Sequence, residues 1–254
     1  MRRHGWFGLT LVSLLALVMV APFLYMVAAS LVDESAFAAV WSALPFPRLF
    51  LNSVLFAGGA AAGQVLTSAA AAYAFARLRF PGRDRVFLAF LSLLIMPAVV
   101  LLVPRFQMID ALGWVDSYAG LISTELVSVW GIFYLRQSFL TLPRDLEDAA
   151  RLDGAGEWTI FWHVMLPLAK PALATLGLLA FVDQWKNFLW PLIATRSAEM
   201  QVAELGLAQF HSAYAANWPY QMAAAVIATL PLFVVFLVAQ RYINRGVPLV
   251  ASRS

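Results

Sequence analysis

The chain has 254 residues, of which 62% are hydrophobic and only 12% charged. Soluble domains sit nearer half apolar and a quarter charged, so lipid is the implied solvent. The absence of cysteine excludes disulfides, thiolate metal sites and cysteine nucleophiles. The net charge of +3 does not signal nucleic acid, because the basic residues lie between apolar stretches rather than along one solvated face.

Crossing a bilayer as a helix takes ~20 mostly apolar residues, and six segments qualify in chain order. The first, 7–29, follows Arg2, Arg3 and His4 and ends in Ala28-Ala29-Ser30. Its apolar run exceeds the ~7–15 residues of a signal-peptide core, so it reads as a retained anchor. The second, 51–76, carries Gly59-Ala60-Ala61-Ala62-Gly63 and then the small residues 68–72. Small residues four apart let helix backbones approach closely in lipid, within this subunit or against a partner. The third, 86–104, is interrupted by Pro97, and the fourth, 118–140, holds Glu125 and Arg136. The fifth, 172–193, holds Asp183 and Lys186, and the sixth, 220–240, contains Pro231. Each proline removes a backbone donor and favours a kink. The expected fold is therefore all-α, a polytopic membrane protein of six transmembrane helices in a single domain over residues 1–254.

The charges orient it. With the N-terminus cytoplasmic, the inner regions hold Arg77, Arg79, Arg83, Arg85, Arg136, Arg144, Arg151 and Lys170, together with the terminal Arg2, Arg3, Arg241, Arg245 and Arg253. The outer regions hold only Arg48, Arg105 and Arg196. This is the positive-inside bias, and it makes both termini cytoplasmic. The outer connections are short, contain Trp41, Trp114 and Trp218 as interfacial anchors, and turn at Pro45-Phe46-Pro47 and at 117–120.

A charge at a helix centre costs ~2.5–3.5 kcal/mol on insertion scales, so intramembrane charges need a reason. Asp183 falls near mid-bilayer, and helical spacing puts Lys186 and Asn187 on its face. Lys186 and Glu125 both lie roughly 10 Å below the outer surface at 1.5 Å per residue, so they pair if the fourth and fifth helices touch. Two readings stay open: an ion pair that locks helices, or a polar patch along a substrate path. In the second, Gln184 offers a hydrogen bond and Trp185 a stacking face to a polyol.

The longest polar connection contains the segment 141–167 on the cytoplasmic side. Pro143 suits a helix start and Gly154 the position after a helix end. Leu146, Ala149 and Ala150 share one face. A second short helix follows, with Glu157 in its first turn, Trp158, Phe161, Trp162 and Met165 at helical spacing, and Pro167 closing it. Two amphipathic cytoplasmic helices are equally a lid on lipid or a knob for a partner's groove.

This segment resembles the EAA loop of permease subunits in binding-protein-dependent ABC importers. Asp148-Ala149-Ala150, Gly154, Val164 and Leu166-Pro167 keep every interval of that pattern, with Asp for Glu and Val for Ile. The resemblance narrows to the second permease of maltose-type importers through 71–83, Leu146 to Gly154, 188–193 and Gln240-Arg-Tyr242. It implies the type I importer permease fold and a multi-pass place in the inner membrane. It also implies a second homologous permease, two ATPase subunits and a soluble binding protein as partners. Glu147, Asp148, Ala149, Ala150, Asp153, Gly154, Val164, Leu166 and Pro167 would then form the elbow docked on the ATPase. Two stretches depart from the family: Trp185-Lys186-Asn187 has a cation where a neutral amide is usual, and the tail 246–254 lacks the customary glycine and lysine.

No Gly-x-x-x-x-Gly-Lys-Ser/Thr stretch occurs, so no cofactor is expected on this chain, and ATP and Mg belong to the partner ATPase. His4, His163 and His211 lack metal-ligand spacing, and no catalytic constellation is visible. The expected function is a transport subunit for a sugar or related polyol. The alternative is an ion-coupled secondary transporter using Asp183, Lys186 and Glu125.

Overall fold

A computed structural model describes the backbone of residues 3–243 and the side chains of residues 8–238 and 240. The expectations resting on Arg2, His4, Arg241, Arg245, Arg253 and the tail 246–254 lie outside the described residues, as does the side chain of Arg3.

The regular elements among the described residues are all helices. Helix α1 (Arg3–Ser30) runs through Pro22, and α2 (Ala36–Ala43) is a short outer helix. Helix α3 (Phe46–Arg77) starts five residues before the predicted span, with Pro47 in its first turn, where a missing N–H costs nothing. At 32 residues it is ~48 Å long, enough to cross the hydrocarbon and both interfaces. Helix α14 (Trp218–Ile243) continues past Pro231.

The other three predicted spans are each broken. Residues 86–104 are not one helix: Arg83–Ile95, which begins as α4 (Arg83–Ser92), meets Ala98–Ala111, which ends as α5 (Leu102–Ala111), at 99°. The break lies at Met96-Pro97, where Met96 is extended (φ −74°, ψ 124°), the conformation proline imposes on its predecessor. Residues 118–140 split into α6 (Tyr118–Ser123) and α7 (Val129–Thr141). The side chains of Ser117 and Ser128 cap these helices, accepting from Gly120 N (3.2 Å) and Gly131 N (3.0 Å). The loop helices α8 (Asp145–Leu152), α9 (Glu157–Ile160) and α10 (Leu166–Leu168) come next, α9 and α10 being joined by a π-helical turn. Residues 172–193 split into α11 (Lys170–Trp185) and α12 (Leu189–Ala194), and α13 (Ala203–Ala213) precedes α14. By length and composition three helices are able to cross a membrane, or up to five when each bent pair is taken as one span.

Helix α3 is the axle, packed against α7 and α11. A Cβ at Gly59 or Gly63 would stand 2.9 Å from Ile122 and 2.3 Å from Leu126, so the glycine stripe packs within the subunit, against the segment around α6. One buried cluster joins Ala72, Tyr73, Leu135, Phe139, Ile160, Phe161 and Met165 at the Arg77 end of α3, called the inner end after the orientation expected from the charges. Another joins Phe56, Ile109, Leu121, Trp190 and Leu205 toward the opposite end, called the outer end in the same sense. These two cores hold the two candidate sites.

Candidate functional site

The inner site is built on the end of α8. Asp145, Glu147 and Asp148 occupy its first turn and Arg151 its last, the charge order that suits a helix dipole. Gly154 has φ +84°, its N donates to Arg151 O (3.0 Å), and Ala155 N donates to Ala150 O (2.9 Å). That double closure is a Schellman turn, and the left-handed residue at its centre favours glycine. The turn expected at Gly154, just after a helix end, is present.

The apolar face of α8 is not the one turned into the subunit. Leu146 and Ala149 are exposed, whereas Glu147 is 2% exposed. Its carboxylate lies 2.9 Å from Arg77 Nε at the end of α3 and 3.5 Å from Arg151. Arg77 also donates to Phe139 O (2.6 Å) and Leu142 O (2.8 Å), the last carbonyls of α7. Arg151 reaches Asp148 and Glu157 at 3.0 Å each, and Glu157 accepts from Tyr73 Oη at 2.5 Å. The hydrogen bond from Arg151, then that from Tyr73, holds the Glu157 carboxyl below its usual range. A cavity of about 420 Å³ opens beside these groups.

Outward, the loop presents Asp148, Ala149, Asp153, Gly154, Leu152 (90% exposed) and Trp158 (70% exposed). Ala150, Val164 and Leu166 are half-buried against the inner core, and Pro167 is exposed. Pro167 does not close the second helix: it sits in the first turn of α10, and the chain turns by 77° after it, between Leu168 and Lys170.

The outer site gathers only some of the expected residues. Glu125 lies in the non-helical stretch between α6 and α7, and its charge partner is Arg105 of α5, not Lys186. The same guanidinium donates to Thr124 Oγ1 (2.8 Å) and stands 4.2 Å over the ring of Trp190. Gln184 Nε2 donates to Glu125 (3.1 Å), Asn187 Nδ2 to Gln184 Oε1 (3.1 Å), and Trp190 N to Asn187 Oδ1 (3.2 Å). Gln184 is thus 3% exposed with its amide already engaged, so it is not the open hydrogen-bond donor expected for a polyol. Trp185 is equally buried, with Phe181 stacked on it and Phe50 against it, so its face is not available either.

Helix α11 ends at Trp185, and Lys186 caps it with its N on Val182 O (3.2 Å), so Lys186 and Asn187 stay beside Asp183. Asp183 and Lys186 are exposed, and with Asn187 they line an open cavity of about 540 Å³. Burial raises the pKa of the Glu204 carboxyl on α13, and the Lys186 ammonium partly offsets that rise.

Several residues escaped the sequence reading. Arg105 was placed in an outer loop, although it anchors the outer network. Gln64 and Thr67 of α3 donate to the carbonyls of Glu125 (2.9 Å) and Leu126 (2.7 Å), and Ser68 to that of Ser128 (3.3 Å), which also accepts from Ile132 N. Asn52 donates to Glu199 O and Gln201 O at 2.8 and 2.7 Å. The available signal was a row of polar side chains along an otherwise apolar span, the residue types that satisfy non-helical backbone within a membrane.

Residues 63–248 match the family model of the binding-protein-dependent transport system inner membrane component. The chain is 37% identical to the arabinooligosaccharides transport system permease protein AraQ of Bacillus subtilis (strain 168), over 78% of this chain and 71% of that one. It is also 37% identical to the sn-glycerol-3-phosphate transport system permease protein UgpE of Yersinia pestis bv. Antiqua (strain Antiqua), over 80% and 73%. Its fold resembles a solved bacterial ABC transporter involved in the import of the acidic polysaccharide alginate, with a TM-score of 0.79 at 24% identity over 95% of this chain and 96% of that one. The apolar helices, the elbow at Gly154 and these similarities agree: the chain belongs to the binding-protein-dependent transport system inner membrane components, the permease subunits of this class of importer.

Proposed function

We propose that the chain forms half of the membrane pathway of an ATP-binding-cassette importer for a sugar, polyol or polyol phosphate. It does so with a second permease, two ATPase subunits that carry ATP and Mg, and a soluble binding protein. In this reading it crosses the inner membrane six times with both termini cytoplasmic, the broken segments 83–111, 118–141 and 170–194 each counting as one crossing. The substrate class rests on the relatives, whose named cargoes are an arabinooligosaccharide and sn-glycerol-3-phosphate. Asp183, Lys186 and Asn187 are the side chains left open toward a cavity. An ion-coupled transporter built on Asp183, Lys186 and Glu125 finds no support, because Arg105 already neutralises Glu125.

The observation that carries the proposal is the outward face of α8 and its elbow. Acidic and apolar side chains project from a rigid turn, while Glu147 is held inward. Such a face suits a groove on a partner. Gly154→Asp tests it, because an exposed turn with open space around it accepts the side chain at a backbone cost of about 1–2 kcal/mol. The variant should insert normally but lose the ATPase in pull-downs from gently solubilised membranes. Wild type should bring down an ATPase and a second permease, and a wild-type chain that purifies alone overturns the proposal.

A further inference from the structure

The inner ionic network does more than fill space beneath the elbow. Tyr73 and Arg77 are four residues apart, one turn of α3 with both side chains on one face. Tyr73 holds Glu157 of α9 at 2.5 Å, and Arg77 faces Glu147 of α8 at 2.9 Å. Arg151 lies between the two acids, 3.0 Å from Glu157 and 3.5 Å from Glu147. Nη2 of Arg77 donates to Phe139 O in the last turn of α7 and to Leu142 O just past its end. Arg77 and Glu147 are 3% and 2% exposed, so the pair is shielded from water and salt.

We infer that Arg77 and Glu147, supported by Tyr73, Arg151 and Glu157, are positioning residues that clamp both loop helices to one turn of α3 and to the end of α7, so that a displacement imposed on the elbow moves these two membrane helices with it. The inference rests on the proposed docking of the elbow and adds the route by which motion leaves it. An elbow joined to the membrane helices only through its flanking residues 142–144 and 169 would swing without them. Charged groups buried under a surface loop are costly unless paired, and here the pairing joins four helices instead of closing within one. Glu147, the buried acid of the clamp, points away from the exposed face that carries its neighbour Asp148.

The chain contains no cysteine, so a single reporter is easily placed. Lys186→Cys, exposed at the outer cavity, would be labelled with a membrane-impermeant maleimide in the whole complex, with and without ATP and vanadate. In the wild-type background the labelling rate should change with nucleotide. Glu147→Gln should retain the ATPase in pull-downs while that change shrinks by about fivefold or more, the lower end of ordinary coupling strengths. Glu147→Asp, which keeps the charge, should restore part of it. A full nucleotide response with Glu147→Gln overturns the clamp and leaves the docking proposal standing. If Glu147→Gln itself loses the ATPase, Tyr73→Phe decides, since it removes one hydroxyl: a reduced response supports the clamp and a full one overturns it. A wild-type complex without ATPase, or without any nucleotide response, takes down the proposed function and the clamp together.

Discussion

The two ends of this subunit solve the same problem differently. At the inner end, Arg77 and Glu147 are almost fully buried and join separate helices through ion pairs. At the outer end, Arg105 and Glu125 are 22% and 14% exposed, and around them the chain is broken rather than helical. The inner network fixes a regular element onto others. The outer network makes irregular backbone tolerable, with Gln64 and Thr67 serving carbonyls that no helix satisfies. A charged pair in a membrane protein therefore reports either on force transmission or on a break in a helix, and its neighbours decide which.

Disturbing the inner network should have the larger effect. Arg77→Met leaves Glu147 only its longer contact with Arg151 and removes a donor from two carbonyls at the end of α7, so a loss of about 3–5 kcal/mol is expected. Thermal unfolding of the detergent-solubilised chain would read it, and a midpoint within a degree of wild type would show the pair to be ornamental. Glu125→Gln keeps the shape and leaves Arg105 its contacts with Thr124 and Trp190, so about 1–3 kcal/mol is expected in the same assay. A cost equal to that of Arg77→Met would erase the distinction between the two ends. Lys186→Met, at an exposed position, should leave stability within about 0.5 kcal/mol of wild type. Its effect should appear in substrate affinity, measured by uptake of radiolabelled sn-glycerol-3-phosphate or an arabinooligosaccharide into cells expressing the complete importer. Unchanged affinity together with lowered stability would turn Lys186 into a packing residue.

The same contrast explains what was legible beforehand. The elbow was readable because a left-handed turn favours a glycine and an N-terminal turn favours acids, and both leave marks at fixed spacing: Gly154, and Asp145 to Asp148. The long helices α1, α3 and α14 were readable from apolar length alone. The break at Pro97 had a visible cause. The breaks at 124–128 and 186–188 had none, for Thr124-Glu125-Leu126-Val127-Ser128 contains neither glycine nor proline. At 124–128 donors on α3 serve the interrupted backbone, and at 186–188 the Asn187 side chain accepts from Trp190 N; hydropathy reads straight through both. The charge partner of Glu125 was missed for the same reason: distance along an assumed continuous helix pointed to Lys186, and the bend at Pro97 brings Arg105 there instead.

Helix α1 adds a separate consequence. None of the residues in its most apolar window is buried within the subunit, and among its described residues only Ala29 and Ser30, at its end, are covered. Its main neighbour is α14. Such a helix answers to the oiliness of its surroundings rather than to the shape of any one neighbour. Its spelling is therefore nearly free: scrambling the order of its apolar residues should change little, whereas the same shuffle in α3 would dismantle every contact that makes the rest of the subunit one body.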